Sequence, residues 1–217
     1  MAVPDEPPRP AGAQAPAPVR RGRVRYRRAA LMGVPAAVAA AALVVLTAQG
    51  AIAAQFAISG MPFVVSGTSL KGTGFGQFGG LDHTAPGSPD AGDTGGQKLV
   101  IVTAIRHAEI ADLCQSVSLG GTYLRISAGS DPKKRVRADA LTTDSTEIAA
   151  KAASFDGIEI GGDASTFDKP PVKGPLGMFG QQADTVSLQT FRQTNYATTA
   201  SRFTLPDLHM SFAQKGC

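Results

Sequence analysis

The stretch Ala153-Ser154-Phe155-Asp156-Gly157-Ile158-Glu159-Ile160 places apolar side chains at 153, 155, 158 and 160, with one residue skipped, then two, then one. Alternation with a period of two is the signature of a strand, and a two-residue skip resets which face points inward. Such a reset fits a β-bulge or a corner between two short strands. The same spacing recurs at Phe56, Ile58, Met61 and Phe63, and again at Phe203, Leu205, Leu208 and Met210. The intervals between copies are unequal, so this is not a strict repeat. The expected fold is all-β: one domain of short strands around an apolar interior. Repeated corners would make it β-solenoid-like, and bulged strands would make it a sandwich or open barrel.

Composition agrees. The 217 residues include 25 Gly and 15 Pro with no Trp and 43% hydrophobic residues, which favours turns and short strands over long helices. The formal charge of +4 is unevenly placed. Residues 1–28 hold seven Arg against Asp5 and Glu6, leaving fourteen basic and fifteen acidic residues, a net of −1, for the rest. The domain therefore lacks the basic footprint of a nucleic-acid binder. Lys133, Lys134, Arg135 and Arg137 are a local basic run that follows Gly129-Ser130-Asp131-Pro132, and they read as a solvated turn.

The amino-terminal region reads as an address. Residues 1–28 form a Pro- and Ala-rich leader, expected to be disordered and cytoplasmic, that ends in Arg20, Arg21, Arg23, Arg25, Arg27 and Arg28. An uncharged run from Ala29 to Ala48 follows, then Ala51-Ile52-Ala53 as a candidate cleavage site before Ala54. Residues 29–53 are thus expected to be one hydrophobic helix, either a signal peptide or a membrane anchor, since twenty uncharged residues are just long enough to span a bilayer. Residues 54–217 are expected to be an exported β domain, extracellular or on the outer face of the cytoplasmic membrane. Arg27-Arg28 is a weak match to a twin-arginine signal. The two cysteines, Cys114 and Cys217, suit an oxidising compartment, where an internal disulfide, an intermolecular bridge and two free thiols are the alternatives.

Within the domain, His83–Gln97 and Lys169–Pro175 are expected to be loops from their Gly, Pro and Asp content. Leu99–Ala104 reads as a buried strand and Val117–Ile126 as a hairpin around Gly120-Gly121. Thr142–Ala153 could form a short helix, because Ile148, Ala149 and Ala152 share a helical face.

No motif carries a defined chemistry. Gly74-Phe75-Gly76-Gln77-Phe78-Gly79 has the dinucleotide-binding spacing, but Leu81-Asp82-His83-Thr84-Ala85-Pro86 cannot open the helix that would hold a pyrophosphate. Its glycines read better as a tight strand bend with Phe75 and Phe78 packed alongside. No Gly-x-Ser-x-Gly elbow occurs, and a convergent triad would need Ser66 or Ser69 beside His83, His107 or His209. His107 and Glu109 form a His-x-Glu pair without the Pro-Cys-x-x-Cys of zinc deaminases. Asp90 and Asp93 lack the spacing of a calcium loop and read as solvated acids. No catalytic, cofactor-binding or metal-binding residue is assigned, and no cofactor is expected.

Ala53-Ala54-Gln55-Phe56-Ala57-Ile58-Ser59-Gly60, Leu70-Lys71-Gly72-Thr73-Gly74-Phe75, Leu113-Cys114-Gln115-Ser116, Ala197-Thr198-Thr199-Ala200 and Cys217 together resemble an actinobacterial family of exported proteins of unknown function. The resemblance covers roughly residues 29–217. Members of that family often carry the label "cholesterol esterase", with no catalytic motif to transfer. The resemblance implies export and a Cys114–Cys217 disulfide.

The function expected from all of this is a non-catalytic envelope or secreted β protein with a structural or apolar-ligand role, a lipid being the natural ligand. A sterol or lipid ester hydrolase is the first alternative, and a self-assembling surface scaffold is the second. Expected partners are the membrane, through the N-terminal segment, a lipid ligand and an envelope protein, but no nucleic acid.

Overall fold

A computed structural model describes residues 57–217. The expected disordered leader, hydrophobic helix and cleavage site at Ala53 and Ala54 lie outside the described residues, as does Phe56. Nine strands form one antiparallel sheet: β1 (Phe63–His83), β2 (Gln97–Ala111), β3 (Leu113–Ser118), β4 (Tyr123–Ala128), β5 (Val136–Asp156), β6 (Glu159–Asp163), β7 (Phe179–Thr199), β8 (Arg202–Thr204) and β9 (His209–Ala213). The all-β expectation holds, and of the finer alternatives the solenoid and the sandwich fail while bulged strands in a barrel-like sheet come nearest. Every strand ladder is antiparallel, which a β-solenoid is not, and one sheet closes on itself where a sandwich needs two. β1, β5 and β7 are also long, 21 residues each, rather than short.

Closure follows from four pairings: β1 with β2, β2 with β5, β5 with β7, and β7 back to β1. The circuit is strongly staggered. It leaves β1 at Gly79, crosses Ile101, Ser145 and Asn195, and returns to β1 at Phe63, near the opposite end of the strand. Several named strands are continuous ribbons with a local interruption. β2 and β3 pair with β1 in a single register across Asp112, and β7 and β8 pair with β5 in a single register across Ala200-Ser201.

Strands this long must bend, and the bend is shared. Thr73 pairs with His107 and with Thr185, whereas Phe75 pairs with Ile105 and with Ala183, which leaves Gly74 opposite both Arg106 and Asp184. The β2–β5 pairs in turn leave Arg106 opposite Ala140. Along this row the inward face resets on all four strands: Gly72 to Phe75, Ala108 to Ile105, Ala138 to Leu141, and Val186 to Ala183, all of them buried. The backbone signature is a positive φ at Gly74 (65°) and at Ala140 (47°). A second row runs through Asp112, Thr68, Thr190 and Lys151, with positive φ at Asp112 (51°) and Thr190 (48°), and the Thr68 hydroxyl donates to Asp112 Oδ2 at 2.5 Å.

The expected resets at 58–61, 155–158 and 205–208 also coincide with corners, at Gly60, Gly157 and Asp207, all with positive φ. Their apolar residues face inward only in part: Ile58 is buried and Phe155 and Leu205 pack against the core, whereas Ile158, Ile160, Phe203, Leu208 and Met210 are exposed. Leu99–Ala104 is a strand, but an alternating one, with Val100 buried and Leu99 78% exposed. Thr142–Ala153 belongs to β5 and not to a helix, since its ladder with β7 overrides the local alanine-rich preference. The hairpin at Gly120-Gly121 forms, both glycines having positive φ, and the His83–Gln97 and Lys169–Pro175 loops are largely as expected.

The core gathers Leu70, Phe75, Ile105, Ile110, Val136, Leu141, Val186 and Phe191 between the four long strands. A smaller cluster of Phe78, Ala164 and Phe167 lies under the loop that follows β6. Arg106 holds that loop by donating to the carbonyls of Asp168, Lys169 and Pro170. Asp163 caps its first turn by accepting from the Ser165 and Gly177 amides, which hold its carboxyl below the usual range. The disulfide Cys114–Cys217, with Cα atoms 5.8 Å apart, ties the carboxyl terminus to β3.

Asp82 and Asp144 are half-buried near one another. Burial, reinforced by the neighbouring Asp82 carboxyl, pushes Asp144 up to about 7, and burial also raises Asp82. A carboxyl raised in the folded state binds its proton more tightly there than in the unfolded chain. Its contribution to stability is therefore complete below the ordinary carboxylate range and is lost as pH climbs from about 4 to about 7.

Two outcomes follow from the strained row and the acid pair. Ala140→Gly relieves a left-handed backbone at an interior strand position and should leave the domain as stable or up to ~1 kcal/mol more stable, whereas Ala140→Val should cost ~1–2 kcal/mol, both read by urea denaturation. Thermal melts should show lower stability at pH 8 than at pH 5, by ~1–2 kcal/mol once solvent screening is allowed for, and Asp144→Asn should remove most of that slope.

Candidate functional site

An apolar cleft of about 290 Å³ opens inside the ring of long strands. It exists because β5 pairs with β2 only as far as Ser145, opposite Ile101, and then follows β7 alone. At the point of departure the β5–β7 ladder shifts register, and the fully buried Ser145 donates its hydroxyl to Asn195 Oδ1 at 2.8 Å. The gap left between β2 and the far half of β5 is the cleft's mouth, with Ile148, Ala150, Ala153 and Phe155 along one wall.

Two cross-strand rows form the floor. One is apolar, Phe75, Ile105 and Leu141, which face one another across β1, β2 and β5. The next row is polar, Gln181, Gln77, Thr103 and Thr143, each directly opposite the next. Gln181 Nε2 donates to Gln77 Oε1 at 2.7 Å, and Gln77 Nε2 donates to Thr103 Oγ1 at 2.9 Å. The chain of bonds stops there, since the Thr143 hydroxyl is buried without a partner. A buried hydroxyl left unpaired costs about 1–3 kcal/mol, so Thr143 lowers the stability of the fold locally. Among the described residues no lining residue is ionisable, so the cleft suits a neutral and largely apolar molecule.

A second, shallower groove of about 570 Å³ lies on the outer face beside the Gly74 row. Across it run Thr185, Thr73, His107 and Asp139, then Ser187, Lys71, Glu109 and Arg137, each opposite the next. His107 Nδ1 lies 2.8 Å from Asp139 Oδ1, and Arg137 Nε donates to Glu109 Oε1 at 3.1 Å. These groups are mostly exposed, and such pairs contribute at most about 1 kcal/mol each.

The residues weighed from sequence for catalysis are dispersed. Ser66 lies opposite Cys114 and Arg192, Ser69 opposite Ala111 and Gln189, His83 ends β1, and His209 opens β9. Among the described residues, His107 hydrogen-bonds Asp139 and neither serine hydrogen-bonds a histidine. His107 and Glu109 both point outward on β2 and engage different partners. Asp90 and Asp93 are exposed in the loop before β2, and among the described residues no three His, Cys, Asp or Glu side chains cluster as metal ligands. The basic run at 133–137 occupies the β4–β5 turn and the start of β5, with Lys134 pairing Asp207 at 3.6 Å. The Gly74–Gly79 motif lies within β1, where it bends the strand and buries Phe75 and Phe78. The cleft was not foreseen, and its sequence signal is polar residues, Gln77, Thr103 and Thr143, in register with inward apolar ones.

Among the described residues no helix is long and apolar enough to cross a membrane. No curated protein and no solved structure matches the chain. Residues 59–217 match DUF6230, described as a family of unknown function, and the match spans the whole sheet. The chain belongs to that family.

Proposed function

We propose that this is an exported envelope or secreted protein that binds one neutral, elongated apolar molecule, such as a lipid acyl chain, in the cleft between β2 and β5. The observation that carries the reading is a cleft with mainly apolar walls whose polar lining is confined to Gln77, Thr103, Thr143 and Gln193, with no ionisable lining group among the described residues. Its volume is near the lower end of small-molecule sites, about 300 Å³, which suits a single chain rather than a bulky ring system. The absence of ionisable lining groups favours an ester, alcohol or amide at the polar end over a free carboxylate. Export is supported by the arginine cluster and uncharged run at residues 20–48.

A hydrolytic reading has one observation in its favour, the His107–Asp139 hydrogen bond in the outer groove, which is how a general base is oriented. It still requires a nucleophile on His107, and the cross-strand neighbour there is Thr73.

The test is titration of the full-length chain, in a mild non-ionic detergent, with a fluorescent long-chain acyl ester. Saturable one-to-one binding is expected. Ala150→Trp, which fills the cleft from its exposed rim, should weaken binding at least tenfold. Thr143→Val, which removes an unpaired buried hydroxyl, should raise the melting temperature of the empty protein. Binding that ignores Ala150→Trp places the ligand elsewhere. Release of alcohol from the ester that vanishes in His107→Ala would instead establish the hydrolase.

A further inference from the structure

The sheet ends on one side at β6 and on the other at β9. The two edges are built differently. β6 carries Glu159 and Asp163 and a register shift between Ile160 and Gly162, features that discourage pairing with another chain. β9, His209-Met210-Ser211-Phe212-Ala213, holds a regular register with β4 and carries no Asp, Glu, Lys or Arg. Met210 is 57% exposed and Phe212 73% exposed. Across the ladder they stand opposite Ile126 and Leu124, so the β4–β9 ribbon has an apolar face, while Arg125, Ser127 and Ser211 occupy the other.

We infer that β9 pairs with β9 of a second copy of this chain, antiparallel and about a two-fold axis through Ser211. The strand is self-complementary in that register. Met210 of one protomer falls opposite Phe212 of its partner, and the reverse, which joins the two apolar faces into one. The backbone is oriented to match. The Thr122 hydroxyl donates to the Ala213 carbonyl at 3.2 Å, which sets that carbonyl on the β4 side of the strand. Because main-chain groups alternate between edges, the N–H and C=O of Met210 and Phe212 then face the open side. In the two-fold pairing these groups exchange four hydrogen bonds, and Ser211 meets Ser211 as a non-hydrogen-bonded pair. The pairing is isologous and uses up the edge, so it ends at a dimer and does not propagate. The disulfide at Cys217 steadies the strand's carboxyl side through a four-residue tail.

The test places a cysteine on the axis. Directly opposed non-hydrogen-bonded residues have Cα atoms about 4.5 Å apart, within disulfide reach. Full-length Ser211→Cys, oxidised in mild detergent, should give a reducible dimer linked at position 211 by peptide mapping, with Cys114–Cys217 intact. His209→Cys should not link to itself, because its counterpart in this register is Ala213. Adding Met210→Lys and Phe212→Lys, both at exposed side chains, should cut cross-linking of Ser211→Cys at least tenfold and shift the unmodified chain towards monomer in sedimentation at equal concentration. A chain that sediments as a monomer at every concentration overturns the inference. So does cross-linking equal at positions 209 and 211, or unaffected by the lysines.

Discussion

Two transverse rows of bends, one crossing all four long strands and the other crossing β1, β5, β7 and the β2–β3 junction, are the constraint on which the rest of the molecule depends. A strand of 21 residues with strict alternation is a nearly straight ribbon. It can close with three others into a narrow ring only if it bends, and neighbouring strands must bend at the same height to keep their ladders. The row through Gly74, Arg106, Ala140 and Asp184 and the row through Thr68, Asp112, Thr190 and Lys151 meet that requirement. The cost appears as left-handed backbone at Asp112, Ala140 and Thr190, residues for which this conformation is unfavourable by roughly 1–2 kcal/mol each. Closure of the ring offsets it.

The same geometry accounts for both cavities. Each reset puts two successive residues outward on every strand it crosses, and at the Gly74 row this produces the polar outer groove with His107 and Asp139. Inside, β5 cannot follow both β2 and β7 past Ser145. It follows β7, with the buried Ser145–Asn195 bond at the fork, and the space it leaves is the apolar cleft. Sheet closure, strand departure and ligand cavity are thus consequences of one pairing scheme. The edge left over at β9 belongs to the small β3–β4–β9 extension, which lies outside the closed ring and which the Cys114–Cys217 bond ties back to β3.

Much of the local structure was readable in the sequence. Gly120-Gly121 marked a hairpin, the Gly- and Pro-rich stretches marked loops, and the glycines at 74–79 marked a bend in place of a nucleotide site. The two-residue skip was the right signal for a corner, and it located Gly60, Gly157 and Asp207. The larger resets went unseen for a physical reason. On one side of the Gly74 row the inward residues include Gly72, Ala108 and Ala138, too small to register as an apolar stripe, and three of the left-handed positions in the two rows are Ala140, Asp112 and Thr190 rather than glycine. Closure depends on β1 meeting β7 more than a hundred residues later, which no local pattern encodes. The cleft was hidden for the related reason that inward Gln77, Thr103 and Thr143 look like solvent-facing strand residues until their cross-strand partners are known.

The central claim is that the cleft is built to be occupied, and the most direct measurement is native mass spectrometry of the full-length chain purified from its producing cell in mild detergent. A discrete one-to-one adduct is expected, which organic extraction releases as a neutral apolar molecule and Ala150→Trp abolishes. A bare chain mass, with amide exchange showing the β2 and β5 walls of the cleft as protected as the rest of the ring, would contradict it, because the cavity would then be a packing defect the fold tolerates.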